Sequence, residues 1–214
     1  MKISKILPIL AAIWLFSVVP AFAMEFSVND RPFFSATNNA AGGSGDDYSA
    51  TLSSTGDKLV FRRYFGDSDN AYVKLESKDG TKDFMSFKVP VGRTLKICKV
   101  EGKYPMRSFW FVSLMHHTTA YVSGQLREFD RMEYFWLVGP YKDTYVSFVT
   151  RDTLAKYHID IPKNGTILAH PSGTKDVLNL EIVRLFGDHS ATFSWTSLQW
   201  DPAKEWFSIT KTKF

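Results

Sequence analysis

Cysteine is nearly absent from this chain, because Cys98 is the only one among 214 residues. A single thiol cannot form a disulfide within the chain, and it cannot supply the several ligands of a cysteine-rich zinc module. Glycine and proline number only 13 and 9, too few for a collagen-like or low-complexity fibre. What remains is a folded domain that depends on a hydrophobic core.

Excess charge is also small. The 26 Lys and Arg against 22 Asp and Glu give a formal charge of +4, and no block of five like charges occurs. A balance this close to neutral provides no long-range field to attract a polyanion. A nucleic-acid partner is therefore not expected.

The N-terminus has the pattern of an export signal. Lys2 and Lys5 precede an apolar run over residues 6–19, and an Ala-x-Ala cleavage pattern ends at Ala23. The run is shorter than the ~20 residues that a membrane-spanning helix needs. We therefore predict that residues 1–23 are a cleaved signal peptide and that the protein is secreted or periplasmic, with no membrane span after cleavage.

The remaining chain divides into two parts by composition. Residues 24–47 form an N-terminal arm that ends in a loop rich in Gly and Ser, from Ser35 to Asp47. Residues 48–214 read as a single β-rich domain, whose length is sufficient for one substantial core.

Short runs of β-branched and aromatic residues alternate with turn clusters from Tyr48 onward. About a dozen strands at this even spacing predict an all-β, mainly antiparallel fold. The expected architecture is a β-sandwich or a jelly-roll-like meander with at most one or two short helices. The alternative is a closed β-barrel.

Three segments allow more specific predictions. The nearly continuous apolar run from Arg107 to Met115 is typical of a central strand covered on both faces. The composition of residues 152–157 predicts a short helix capped by Thr150 or Asp152. The short connections in the last fifty residues predict an antiparallel meander; its four strands are Thr166–His170, Val177–Phe186, Ala191–Gln199 and Trp206–Lys211.

One segment and one repeat leave alternatives open. Residues 123–133 fit either a helix or part of a hairpin that turns at Glu128–Arg131.

The stretch Arg63–Asp67 resembles Arg184–Asp188, and residues 66–72 and 187–193 continue the similarity. Either the chain contains an internal duplication, or two hairpins use the same Gly-Asp turn chemistry.

No catalytic, metal or cofactor site emerges from the motifs. Adjacent His116 and His117 point to opposite faces of a strand, so they cannot both bind one metal. Cys98 is expected to be a small buried residue. Nucleophile-elbow, phosphate-loop and complete calcium-loop patterns are missing. The spacing selects no pair among the carboxylates that a glycoside hydrolase would need; these are Glu128, Asp130, Glu133, Asp201 and Glu205.

Aromatic residues, at 15% of the chain, are the main compositional anomaly. Trp195, Trp200 and Trp206 lie close together in the sequence around the turn that begins at Asp201. Exposed on a β scaffold, they would form a platform for a ligand. The alternative is a hydrophobic cluster that closes the last hairpin.

Three hypotheses for function follow. The first is an exported, non-catalytic envelope or extracellular β-domain that binds a protein or glycan partner through Trp195, Trp200 or Trp206. The second is a secreted hydrolase that depends on carboxylates, and the third is a β-barrel that carries a small apolar ligand.

Overall fold

The computed structural model describes residues 24–29, 31–32, 34–38, 50–53, 58–65, 70–103, 107–122, 124–161, 165–171, 175–185 and 191–211. These residues form fourteen strands and one helix. In chain order they are β1 (Glu25–Val28), β2 (Phe34–Asn38), β3 (Ala50–Ser53), β4 (Lys58–Phe65), β5 (Asn70–Ser77), β6 (Asp83–Pro90), β7 (Arg93–Lys103), β8 (Arg107–Val122), β9 (Gln125–Tyr141), β10 (Thr144–Thr150), α1 (Arg151–Lys156), β11 (Gly165–Pro171), β12 (Val177–Leu185), β13 (Ala191–Asp201) and β14 (Trp206–Lys211).

The strands form three open antiparallel sheets. Sheet A has the order β1-β7-β8-β9-β10, with β2 also paired to β7. Sheet B is the meander β3-β4-β5-β6, and sheet C is the meander β11-β12-β13-β14. The all-β, sandwich-like prediction is confirmed, and the described residues do not form the closed barrel considered as its alternative.

Sheet A is the middle layer, because each of its faces has its own hydrophobic core. Along β8, Phe109 and Phe111 belong to a core shared with sheet C, whereas Trp110 and Val112 belong to a core shared with sheet B. All four side chains are buried. Successive residues of a strand point to opposite faces, so an apolar run without alternation is what a strand between two layers requires. The prediction for Arg107–Met115 is confirmed.

Packed aromatic rings fill the core between sheets A and C. The ring centroid of Phe109 lies 5.7 Å from that of Phe148, 5.5 Å from that of Trp200 and 5.4 Å from that of Phe207. These pairs have the edge-to-face geometry that aromatic quadrupoles favour. At roughly 1.5–3 kcal/mol for each large side chain removed from water, such a cluster fixes sheet C firmly onto sheet A.

Sheet C and α1 agree with the sequence. The terminal meander has the predicted strand order, with β12 and β13 at its centre. Thr150 is the N-cap of α1, since its hydroxyl accepts a hydrogen bond from the backbone N–H of Thr153. The N-terminal arm contributes β1 and β2 to sheet A, while the predicted signal peptide lies outside the described residues.

In the segment predicted at 123–133, the described residues 124–133 form neither a helix nor a hairpin turn at 128–131. They belong mostly to β9, and the chain reverses around Gly124, whose φ of 77° suits a glycine turn. Polar residues at 128–131 resembled a turn, but Asp130 pairs directly with His117 across the two strands. Within the described residues, no helix is long and apolar enough to cross a membrane.

The two similar sequence stretches occupy equivalent places in their sheets. Strands β4 and β5 are the second and third strands of sheet B, and β12 and β13 are the second and third of sheet C. The turns themselves, over residues 66–69 and 186–190, lie outside the described residues. Equivalent sheet positions are what an internal duplication predicts.

Candidate functional site

The three tryptophans singled out by the sequence lie on two different faces of sheet C. Trp200 faces sheet A and is 2% exposed, and Trp206, at the start of β14, packs against the same core. Trp195 faces away from sheet A and is 39% exposed. The structure therefore does not bring the three rings together, and only Trp195 is available as part of a surface platform.

Interior contacts account for Trp200 and Trp206. The ring of Trp206 lies 4.8 Å from that of Phe148, and the guanidinium of Arg107 lies 5.4 Å from the ring centroid of Trp200. Arg107 also forms an ion pair with Glu205, in the turn between β13 and β14. These contacts close the last hairpin against β8, as the alternative interpretation of the tryptophans proposed.

Around Trp195 the surface of sheet C carries exposed apolar side chains on both sides of one carboxylate, Glu181. In the strand register, Leu168 of β11 and Trp195 of β13 both stand opposite Glu181 of β12, and Phe193 stands opposite Val183. Leu168 is 44% exposed and Phe193 57% exposed. We call this surface the outer face of sheet C.

Further along the same face the side chains are polar and mostly neutral. Asn179 stands opposite Ser197, and the Ser197 hydroxyl donates to Oδ1 of Asn179 at 2.8 Å. Gln199 stands opposite Ser208 of β14, and the Ser208 hydroxyl donates to the Gln199 carbonyl at 3.3 Å. The outer face thus has an aromatic half and a half made of amides and hydroxyls.

A second feature is a cleft of about 210 Å³ between β11 and sheet A, which we call the β11 cleft. Most of its lining is apolar, and its polar members are Lys96, Cys98, Ser113 and Thr166. Cys98 is not part of a disulfide and is only half-buried, so the expectation of a buried residue is too strong. A cavity of this volume is large enough for a small apolar molecule.

A charged network lies beside this cleft, where β8 and β9 extend beyond the core. The Lys96 ammonium is 2.6 Å from Asp130, and Nδ1 of His117 is 3.0 Å from the same carboxylate. The Lys96 and His117 hydrogen bonds lower the pKa of Asp130, and the bond to Asp130 raises the pKa of His117 above 6.5. Nε2 of His117 lies 3.6 Å from Glu128.

Two of the candidate carboxylates, Glu205 and Asp130, lie far apart. Glu205 pairs with Arg107 at the start of β8, and Asp130 pairs with His117 ten residues further on. Ten residues of strand span ~33 Å, whereas paired glycosidase carboxylates lie within ~5–10 Å. Glu128 and Asp130 are near each other, but the His117 imidazole contacts both of them. Among the described residues, no group of three or more potential ligands is placed to hold a metal.

Sequence reasoning missed Leu168 and Phe193. A usable signal was present for Phe193, because Phe193 and Trp195 share one face of a strand by alternation. The same alternation places Trp200, five residues from Trp195, on the opposite face. Leu168 carries no such local signal, since its neighbours on the face come from other strands.

A comparison of the chain with protein-family models, curated proteins and solved structures gave no match. The geometry of this chain is thus the basis for any inference about its function.

Proposed function

We propose that this protein is an exported, non-catalytic β-domain that binds a partner through the outer face of sheet C. The observation that carries the proposal is the exposure of Phe193 and Trp195 two residues apart on β13, with exposed Leu168 on the other side of β12. Export rests on the predicted signal peptide, which makes the compartment secreted or periplasmic.

Phe193 and Trp195 suggest a binding surface because they are exposed side by side on one strand. Isolated exposed apolar residues are ordinary on protein surfaces, and Leu126 and Tyr157 are examples here. Contiguous apolar groups framed by polar ones are characteristic of binding surfaces. Most of the other large aromatic side chains that the structure describes are packed into the two cores. The exposed aromatic rings of the outer face are therefore an exception in this molecule.

The carboxylate arrangement supports the non-catalytic part of the proposal. Asp130, beside the β11 cleft, is paired with Lys96, and Glu133, the next carboxylate along β9, is paired with Arg93. A general acid needs a raised pKa, but the pKa of Asp130 is lowered. This environment suits a structural ion pair better than an acid catalyst.

The β11 cleft favours a second candidate function, carriage of a small apolar ligand. Its lining includes Phe111, Met115 and Ile167, and its volume of about 210 Å³ fits a compact molecule. Native mass spectrometry of the purified protein tests this function. A bound mass that is lost in Ala169→Phe supports it, and a protein without added mass argues against it.

Site-specific photocrosslinking in the source cells tests the main proposal. A benzoylphenylalanine at position 195 is compared with the same group at position 157, because Tyr157 is exposed outside sheet C. We expect a discrete adduct from position 195 that is absent from position 157. No adduct at 195, or the same adducts at both positions, contradicts the proposal.

A further inference from the structure

We infer that the outer face of sheet C takes a neutral oligosaccharide; this inference rests on the proposed function. The aromatic half of the face supplies flat apolar rings at Phe193 and Trp195. A pyranose ring presents one face of C–H groups, and such a face stacks on an aromatic ring because the ring surface is apolar and electron-rich. Both rings come from one strand, two residues apart, so they lie ~7 Å apart along it.

The polar half of the face provides the complementary hydrogen-bonding groups. Sugar hydroxyls both donate and accept, so a site for them needs both kinds of partner. Amides and hydroxyls can both donate and accept hydrogen bonds. On the paired strands next to Trp195, the face carries four such residues, Asn179, Ser197, Gln199 and Ser208. An aromatic platform beside such groups matches the two chemistries of a sugar.

Charge distinguishes a neutral sugar from an ionic polymer. Between Phe193 and Gln199, Glu181 is the only ionisable side chain of this face that the structure describes; Asp201, two residues further along β13, is paired with Lys204. A polyanion would need several cations to neutralise it, and here it would meet a carboxylate. A polycation would find only one partner, so a neutral ligand is the best match.

Size distinguishes an oligosaccharide from a protein. From Phe193 to Gln199 the face is ~20 Å long, and four strands with ~4.8 Å spacing make it ~15–20 Å wide. The resulting area of roughly 300–400 Å² is about half of the ~800 Å² that each partner buries in a standard protein complex. A face ~20 Å long is suited to a short run of sugar rings.

Isothermal titration of the exported protein with cellohexaose, chitohexaose and maltohexaose tests the inference. We expect at least one of the three to bind, and Trp195→Ala to weaken that binding by at least about tenfold. Gln199→Ala should weaken it less, and Tyr157→Ala should leave it unchanged. Because the proposed contacts are neutral, affinity should change less than about twofold between low and high salt.

Circular dichroism and unfolding midpoints establish that each variant is folded. Lack of binding to all three hexasaccharides overturns the inference, as does equal binding by Trp195→Ala. A protein adduct from position 195 together with no sugar binding overturns the inference but leaves the proposed binding function intact. Binding followed by release of new reducing ends supports the sugar site and overturns the non-catalytic assignment.

Discussion

Trp195 and Trp200 lie five residues apart on β13 and point to opposite sides of sheet C. Trp200 is 2% exposed, with its ring 5.5 Å from that of Phe109, whereas Trp195 is 39% exposed. An odd separation on a regular strand always places two side chains on opposite faces. One ring therefore packs between sheets A and C, and the other lies at the surface.

This division predicts different costs for removing the two rings. Trp200→Ala should lower the free energy of unfolding by about 3–5 kcal/mol, because it leaves a cavity among packed aromatic side chains. Trp195→Ala should cost less than about 1 kcal/mol, since the residue is at the surface. Urea unfolding of both variants measures the difference, and equal losses would contradict the assignment of faces.

Gly139 and Gly102 allow a matched test of packing in sheet A. A Cβ at Gly139 would overlap the Phe109 ring and lie 3.0 Å from Phe148, and a Cβ at Gly102 would overlap the side chain of Met24. Aromatic rings in a packed core cannot move easily, whereas an unbranched methionine can change rotamer.

Gly139→Ala should therefore lower the free energy of unfolding by about 1–3 kcal/mol, and Gly102→Ala should lower it by less. Thermal or urea unfolding of the two variants provides the comparison. A larger loss in Gly102→Ala would mean that Phe109 and Phe148 do not pack as described.

A buried carboxylate joins two strands of sheet B. Glu76 is 1% exposed, forms an ion pair with Arg62 and accepts a hydrogen bond of 2.7 Å from the Tyr64 hydroxyl. Glu76→Ala should cost about 3 kcal/mol, because it removes one partner of a desolvated pair. Tyr64→Phe should cost about 1 kcal/mol, the value of a typical hydrogen bond.

A double replacement tests the origin of this loss. Arg62→Met combined with Glu76→Leu removes both charges and keeps apolar volume, so it should recover most of the stability lost in Glu76→Ala. Chemical unfolding of all variants gives the free energies of unfolding from which the recovery is calculated. No recovery in the double variant would contradict the assignment of the loss to an unpaired Arg62 charge.

The His117–Asp130 pair predicts a pH dependence of stability. The pKa of His117 is raised above 6.5 in the folded protein, mainly by the hydrogen bond to Asp130. A raised pKa means that the folded state binds the proton more tightly, so the stabilisation is complete below about pH 6.5 and is lost as the pH rises through the folded pKa. At the acid end, the lowered pKa of Asp130 works in the opposite sense.

Melting curves of the wild type and His117→Gln across this pH range measure the effect. The wild type should melt higher near pH 6, and the difference should shrink as the pH rises toward 9. Asp130→Asn should remove the larger part of the pH-dependent difference and leave the smaller contribution of Glu128. A difference in melting temperature between wild type and His117→Gln that grows with rising pH would contradict the His117–Asp130 pairing.

Local patterns predicted the elements that depend on local physics. The unbroken apolar run at Arg107–Met115 indicated a strand between two layers, and Thr150 indicated the start of α1. The position of the turn at Gly124 was missed, because the surrounding β8–β9 strands extend beyond the core and carry charges paired across the strands. In sequence, those charges at 128–131 are indistinguishable from a polar turn.

The pairing of distant strands and the order of the layers could not be predicted from the sequence, for a different reason. Pairing of β1 and β2 with β7, and the placement of sheet A between two meanders, depend on contacts between segments far apart in the chain. For the candidate site, grouping Trp195 with Trp200 by proximity ignored strand alternation. Leu168 joins Trp195 only because β11 and β13 both flank β12.

The most direct test of the central claim is an amide chemical-shift titration of the exported protein with the hexasaccharide that binds most tightly. We predict that the shifts concentrate on residues 193–199 of β13 and 179–183 of β12, and that they disappear in Trp195→Ala. Shifts centred instead on Lys96, Cys98 and Met132 would place the ligand in the β11 cleft and contradict the claim.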